Sequence, residues 1–180
     1  MPKIKKGEKA IDFTFNTDCK TGLKLSEVVK NADKTILHFL RYYGCRICQL
    51  DIGSYMKLND KMKDKNAQLF IVLQSKPVTI KNAMREEILP FDIICDPDQE
   101  LYKLHDIGSF VDSSLVDKEK MAEAMARIQA LGLVHGEYEG NEQQLPALFI
   151  IDKNMNVLYE KYADSITDMP TPKEVVETLI

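Results

Sequence analysis

Two near-continuous apolar runs, Thr35-Ile36-Leu37-His38-Phe39-Leu40 and Gln68-Leu69-Phe70-Ile71-Val72-Leu73-Gln74, constrain this chain more than any other feature. Neither alternates, so each reads as a strand buried on both faces. Between them, Ile47 to Met62 has helical spacing, with Cys48, Ile52, Tyr55 and Met62 on one stripe. Strands joined by a helical crossover of this length lie parallel. The alternation then continues. Val78 to Leu89 has helical spacing (Ile80, Ala83, Met84, Ile88) and Pro90 stops it. Phe91 to Cys95 is a short strand, and Asp96-Pro97-Asp98 turns into a helix through Leu101, Leu104 and His105. Such an order predicts an α/β sheet covered by helices.

The flanking segments close this sheet. Residues Ala10 to Phe15 alternate as an extended entry, Asp18 to Gly22 is a turn, and a short helix starts at Leu25 with Ser26 as its cap. Ala147 to Asp152 and Val157 to Tyr162 form an antiparallel hairpin around Lys153 to Asn156, which makes the sheet mixed. Thr171-Pro172-Lys173-Glu174 opens the last helix with a capping box and a proline at its first position. Residues Asp106 to Asn141 break the alternation. Within them, Asp117 to Leu131 is an amphipathic helix that presents Met121, Ala124, Met125, Ile128 and Leu131 on one face. That face is core packing, a lid or a homodimer contact. Gly132 to Gly140 holds three glycines and reads as a mobile loop.

With 180 residues, 44% hydrophobic and 29% charged, the chain fits one globular domain over 1–180. Its net charge of −4 argues against nucleic acid or an anionic membrane as partner. Met1 to Lys6 is basic but no apolar stretch follows, and no run approaches the ~20 residues of a membrane span. A cytoplasmic, reducing setting is therefore expected, where paired cysteines are catalytic or metal-binding rather than structural.

The chemistry centres on Gly44-Cys45-Arg46-Ile47-Cys48, where a buried strand feeds a helix. Unpaired N–H groups and a partial positive charge at a helix N-terminus stabilise a thiolate. Arg46 adds positive charge between the sulfurs. Cys48 lies about one turn in and faces the core, so Cys45 is the more exposed sulfur, and the pair can close a disulfide. Zinc needs about four ligands, and neither Cys19, Cys95 nor His38, His105, His135 shows ligand spacing. No metal or cofactor is expected. Two inert core cysteines are the alternative.

The order of elements resembles the thioredoxin fold, and more specifically the alkyl hydroperoxide reductase/thiol-specific antioxidant superfamily of peroxiredoxins and their relatives. The likeness is carried by Lys6 to Phe15, Leu23 to Glu27, Phe91 to Tyr102, and Phe149 to Asp152. It covers most of the chain, with an extra helical insertion at Ile107 to Asn141. The resemblance implies a thioredoxin-like fold, a central mixed sheet flanked by helices. It also implies peroxiredoxin-like reduction of a small hydroperoxide or disulfide, with a thiol reductant such as a thioredoxin-like donor. Peroxiredoxins carry Pro-x-x-x-Thr/Ser-x-x-Cys. With Cys48 on that cysteine, Cys45 takes the threonine place and Arg41 the proline place, while the later arginine falls near Pro146. Leu145-Pro146 before a strand resembles the cis-proline of the superfamily, which would expose the Leu145 backbone to a bound partner.

Two orders of attack follow. Cys45 attacks as thiolate and Cys48 resolves, or Cys48 attacks first if the peroxiredoxin register holds. Arg41 lowers a thiol pKa or holds a peroxide oxygen, or else makes a surface ion pair. His38 exchanges protons with Cys48 or is a core histidine. Asp51 orients a water or is solvated. Tyr42 and Tyr43 rim the site or pack, and Cys19 and Cys95 are loop and core thiols or distant resolving ones. A disulfide reductase with little peroxidase activity and a non-catalytic binding module remain as rivals.

Overall fold

A computed structural model describes residues 3–84, 88–110 and 112–180. Strands β1 (Thr14–Phe15) and β2 (Leu23–Lys24) form a small antiparallel ribbon that leads into α1 (Leu25–Val28). The main elements follow as β3 (Lys34–Phe39), α2 (Arg46–Asp64), β4 (Ala67–Leu73), α3 (Pro77–Ala83), β5 (Asp92–Cys95) and α4 (Glu100–Leu104). Helix α5 (Lys118–Ala130) stands in the insertion, and β6 (Ala147–Asp152), β7 (Val157–Tyr162) and α6 (Pro172–Glu174) close the chain. One π-type turn, Val175–Leu179, continues α6.

The sheet order is β5-β4-β3-β6-β7. Strands β3, β4 and β5 run parallel, whereas β6 is antiparallel to β3 and β7 to β6. This is the mixed sheet the alternation and the late hairpin predict. Side chains of a strand alternate between faces, and both faces of β3 are buried. Ile36 packs with Leu69, Ile71 and Ile150 against Tyr55 and Met62 of α2 and Val175 and Val176. Leu37 and Phe39 pack with Phe70, Phe149, Phe13, Phe15 and the α1 and α4 residues Leu25 and Tyr102. Two cores sharing one sheet fix β3 at the centre, so the loop leaving its C-terminal end is held from both sides.

Local signals hold with two shifts. Ser26 lies inside α1 rather than at its cap; its N–H donates to Asp12 Oδ1 at 2.9 Å, and Lys24 stands at the N-cap. Helix α3 ends at Ala83, and residues 85–87 of the longer helix expected there lie outside the described residues. At α4 the Asp96 carboxylate accepts the N–H groups of Glu100 (3.0 Å) and Leu101 (2.8 Å). The capping box at Thr171 is complete: Glu174 N–H donates to Thr171 Oγ1, and Thr171 N–H to Glu174 Oε2 at 2.7 Å. Thr171→Ala removes this cap, so urea denaturation is expected to show a loss of about 1 kcal/mol with little change in slope.

Candidate active site

Cys45 is the N-cap of α2 and Cys48 sits in its first turn, pointing down onto the sheet. Both side chains are covered: Cys45 is 2% exposed and Cys48 4%. This corrects the expectation that Cys45 is the open sulfur of the pair. The glycine-rich stretch lies docked over the start of α2 instead of standing free, and the Arg41 guanidinium lies on the Cys45 sulfur.

That stretch, residues 132–142, is a strap. Gly136 N–H donates to Gly44 O at 2.9 Å, and a Cβ built on Gly136 would come within 3.0 Å of Gly44 Cα. The backbones touch because both residues lack side chains. Gln49 Nε2 donates to Val134 O at 3.0 Å. His135 Nδ1 donates to Gly136 O at 2.8 Å, which leaves Nε2 to accept the Tyr42 hydroxyl at 3.2 Å. Glu139 Oε1 accepts from Lys76 N–H and Thr79 Oγ1, and Asn141 N–H donates to Gln74 Oε1 at 2.7 Å. The buried Tyr42 thus anchors the strap rather than rimming the site.

Arg41 connects this strap to the sulfurs. Its Nη1 donates to Glu142 O, its Nη2 to Cys45 Sγ at 2.9 Å, and its backbone N–H to Cys48 Sγ at 3.4 Å. The two thiols are driven apart in acidity. A hydrogen bond from the Cys48 thiol and the Arg41 guanidinium together bring Cys45 down to about 5, against the pull of burial. Burial and the adjacent Cys45 charge push Cys48 well above the usual thiol range. Near neutral pH the pair shares one proton and one negative charge, with Cys45 the more acidic thiol. The cation bonded to Cys45 is Arg41; Arg46, from which the charge was expected, is exposed. A helical residue after the N-cap projects outward, whereas Arg41 comes from the loop that returns over the pair.

A cavity of about 40 Å³ opens beside the pair, lined by His38, Leu40, Arg41, Ile47, Cys48, Asp51, Pro146, Ile166 and Met169. It touches Cys48 and not Cys45. Its volume accommodates the two oxygens of a peroxide. His38 is buried; Nδ1 meets the Tyr55 hydroxyl at 3.0 Å, Nε2 has no partner, and burial lowers the ring to about 3, so the imidazole is neutral. Burial, with the Cys45 charge, raises the Asp51 carboxyl to about 7. Pro146 lines the cavity as expected, but its peptide bond is trans, since none of the described bonds is cis. The Leu145 N–H donates to Gly108 O at 3.1 Å, and the Gln144 side chain donates to Leu145 O. The Leu145 backbone is therefore taken up internally and not presented to a partner, because the insertion pairs with it. Tyr43 lies outside the cavity lining; its N–H donates to Ser75 Oγ at 2.8 Å and its ring packs on the α2 core.

The AhpC/TSA family profile matches residues 6–160. The chain belongs to the AhpC/TSA family. It is accordingly a thiol-dependent oxidoreductase. Among solved structures, this AhpC/TSA protein is similar to peroxiredoxin 6 of Arenicola marina (TM-score 0.68, 15% identity, covering 98% of this chain and 72% of that one). It is also similar to a yeast mitochondrial 1-Cys peroxiredoxin (0.65, 14%, 96% and 73%). A third likeness is to the peroxidoxin BcpB of Mycobacterium tuberculosis (0.63, 13%, 92% and 90%). At these identities the likeness is one of fold, the thioredoxin-like fold. No curated protein matches the sequence closely enough to report.

Outside this site, Cys95 lies on β5 with its thiol pushed up to about 12 by burial, and Cys19 is exposed in the first turn. Neither lines the cavity. Ligand atoms of Asp18, Cys19 and Asp92 lie within 4.8 Å of one another, with Lys20 Nζ already on Asp92 at 2.8 Å. Ile166 and Met169 come from the loop after β7, and nothing in their sequence surroundings marks them as cavity residues.

Proposed function

We propose that this protein is a hydroperoxide reductase in which Cys48 attacks the peroxide and Cys45 serves first as its base and then as its resolving thiol. The supporting observation is that the cavity beside the pair opens on Cys48, while Arg41 holds the charge on the strapped Cys45. The Cys48 proton passes to the Cys45 thiolate along their hydrogen bond. The Cys48 thiolate displaces the leaving oxygen from the peroxide, forming a sulfenic acid and an alcohol or water. Cys45 then condenses with the sulfenic acid: the S–S bond forms and water departs. A dithiol donor of the thioredoxin-like kind, in a reducing compartment such as the cytoplasm, restores both thiols by exchange.

A non-catalytic module would leave two thiols of ordinary acidity. A reductase of protein disulfides would need room for a peptide at the sulfurs and a free backbone edge at Leu145; the small cavity and the occupied Leu145 N–H favour a hydroperoxide instead. The test is a pair of variants given hydrogen peroxide with a dithiol donor. Cys48→Ser is expected to consume none above background. Cys45→Ser is expected to stop after one slow turnover, with a sulfenic acid at Cys48 that dimedone traps. Full turnover by Cys48→Ser would overturn the assignment.

A further inference from the structure

When Cys48 takes an oxygen from the substrate, the other oxygen leaves as an alkoxide or hydroxide and needs a proton at once. We propose that Asp51 supplies it: the carboxyl one turn beyond Cys48 is the general acid of the cavity. The inference rests on Cys48 as the attacking sulfur. Four titratable side chains line the cavity, His38, Arg41, Cys48 and Asp51. His38 is a neutral imidazole, and Arg41 keeps its proton at any working pH. Cys48 has given its proton to Cys45 before the bond forms. Asp51 alone can release one and be refilled.

The geometry suits that role. Cys48 and Asp51 stand three residues apart on α2, so they share one face. Among the described residues, no hydrogen bond ties the Asp51 carboxyl to another group, so it is free to turn to the substrate. Nearby, His38 Nε2 is buried without a partner in the same wall, which marks the cavity as built to hold a polar guest. The second side of Asp51 faces a groove between α2 and α5, where Lys120, Glu123 and Arg127 of α5 and Glu174 of α6 meet solvent. Arg127 draws the carboxyl toward ionisation, while burial and the Cys45 charge oppose this and keep it protonated near neutrality. That groove is the route by which the carboxyl regains its proton.

The step balances. The Cys48 sulfur bonds the terminal peroxide oxygen and the O–O pair departs with the leaving oxygen. The Asp51 proton goes to that oxygen, giving alcohol and carboxylate, and sulfur is oxidised as peroxide is reduced.

The test compares the intact protein with Asp51→Asn on hydrogen peroxide and on peracetic acid. The first leaves as a basic hydroxide; the second leaves as acetate, which needs no proton. Asp51→Asn is expected to lower kcat/KM for hydrogen peroxide by about 10- to 100-fold and to change that for the peracid by less than about threefold. The wild-type hydrogen peroxide rate should fall as pH rises through about 7. This fall should vanish in Asp51→Asn and persist in Asp51→Glu, which keeps a titratable carboxyl. Equal losses on both substrates, or an unchanged alkaline limb, would show a packing role only. Peroxide turnover by Cys48→Ser would remove the parent reading; its loss there with a normal Asp51→Asn would remove Asp51 alone.

Discussion

Arg41→Met leaves Cys45 without its cation, and the thiol is expected to rise from about 5 toward its ordinary range, with the Cys48 hydrogen bond still holding it down. The fraction of Cys45 present as thiolate at pH 7 should fall, and with it the group that takes the Cys48 proton, so kcat/KM for hydrogen peroxide should drop. Thiolate absorbance in the ultraviolet, titrated from pH 4 to 10 in a Cys48→Ser background, reads the change directly. The loss exceeds that of a surface pair because both partners are largely out of water. Stability moves with it. A thiol whose folded pKa lies below its unfolded one adds stability that is complete above about pH 9, declines as pH falls, and is gone below about pH 5. Cys48 adds nothing to this slope, since it keeps its proton in both states below pH 9. Asp51, raised to about 7, acts with the opposite sign as pH falls, so the difference is the readout: the stability advantage of wild type over Arg41→Met should shrink on acidification across that window. An unchanged thiolate titration in Arg41→Met would refute the electrostatic account.

Gly44→Ala should lift the strap. The new Cβ would overlap the Glu137 carbonyl oxygen and lie 2.9 Å from the Gly136 carbonyl carbon and 3.0 Å from Glu137 N. All three are backbone atoms and cannot step aside as a side-chain tip would. Relief requires the strap to move outward, which breaks the Gly136–Gly44 hydrogen bond and loosens the Tyr42–His135 contact. The expected cost is about 1–3 kcal/mol, as for overpacked sites, with a lower Tm. At the same time Cys45 should become open to iodoacetamide, with alkylation at pH 7 faster by about tenfold or more, because an ionised sulfur was limited by access rather than by charge. Unchanged alkylation with an unchanged Tm would mean the strap does not cover Cys45 in solution.

Much of the architecture could be read from the residues. Both β3 and β4 are apolar at nearly every position that faces a core, Thr35 and His38 apart, and that pattern suits a strand covered on both faces. The Thr171–Glu174 cap and the hairpin at Asn154 are equally local, since each is made by residues three or four apart. Of the site, the sulfurs and their neighbours Arg41, His38, Asp51 and Pro146 could be named from the residues. A helix-mouth dithiol announces itself by spacing, but the roles within it do not. Arg41 rather than Arg46 supplies the charge because a loop folds back over α2, and no spacing rule sees a fold-back.

The same holds for the covering of Cys45, the occupied Leu145 backbone and the cavity shared by Cys48 and Asp51. Each is a meeting of segments far apart in the chain, from 37 residues (Gly108 and Leu145) to 131 (His38 and Met169), brought together by β3 lying between β4 and β6. Short-range periodicity and capping are written in neighbouring side chains and survive without a partner. Acidity and access depend on what desolvates a group and which charge stands beside it, and those exist only once distant segments have packed.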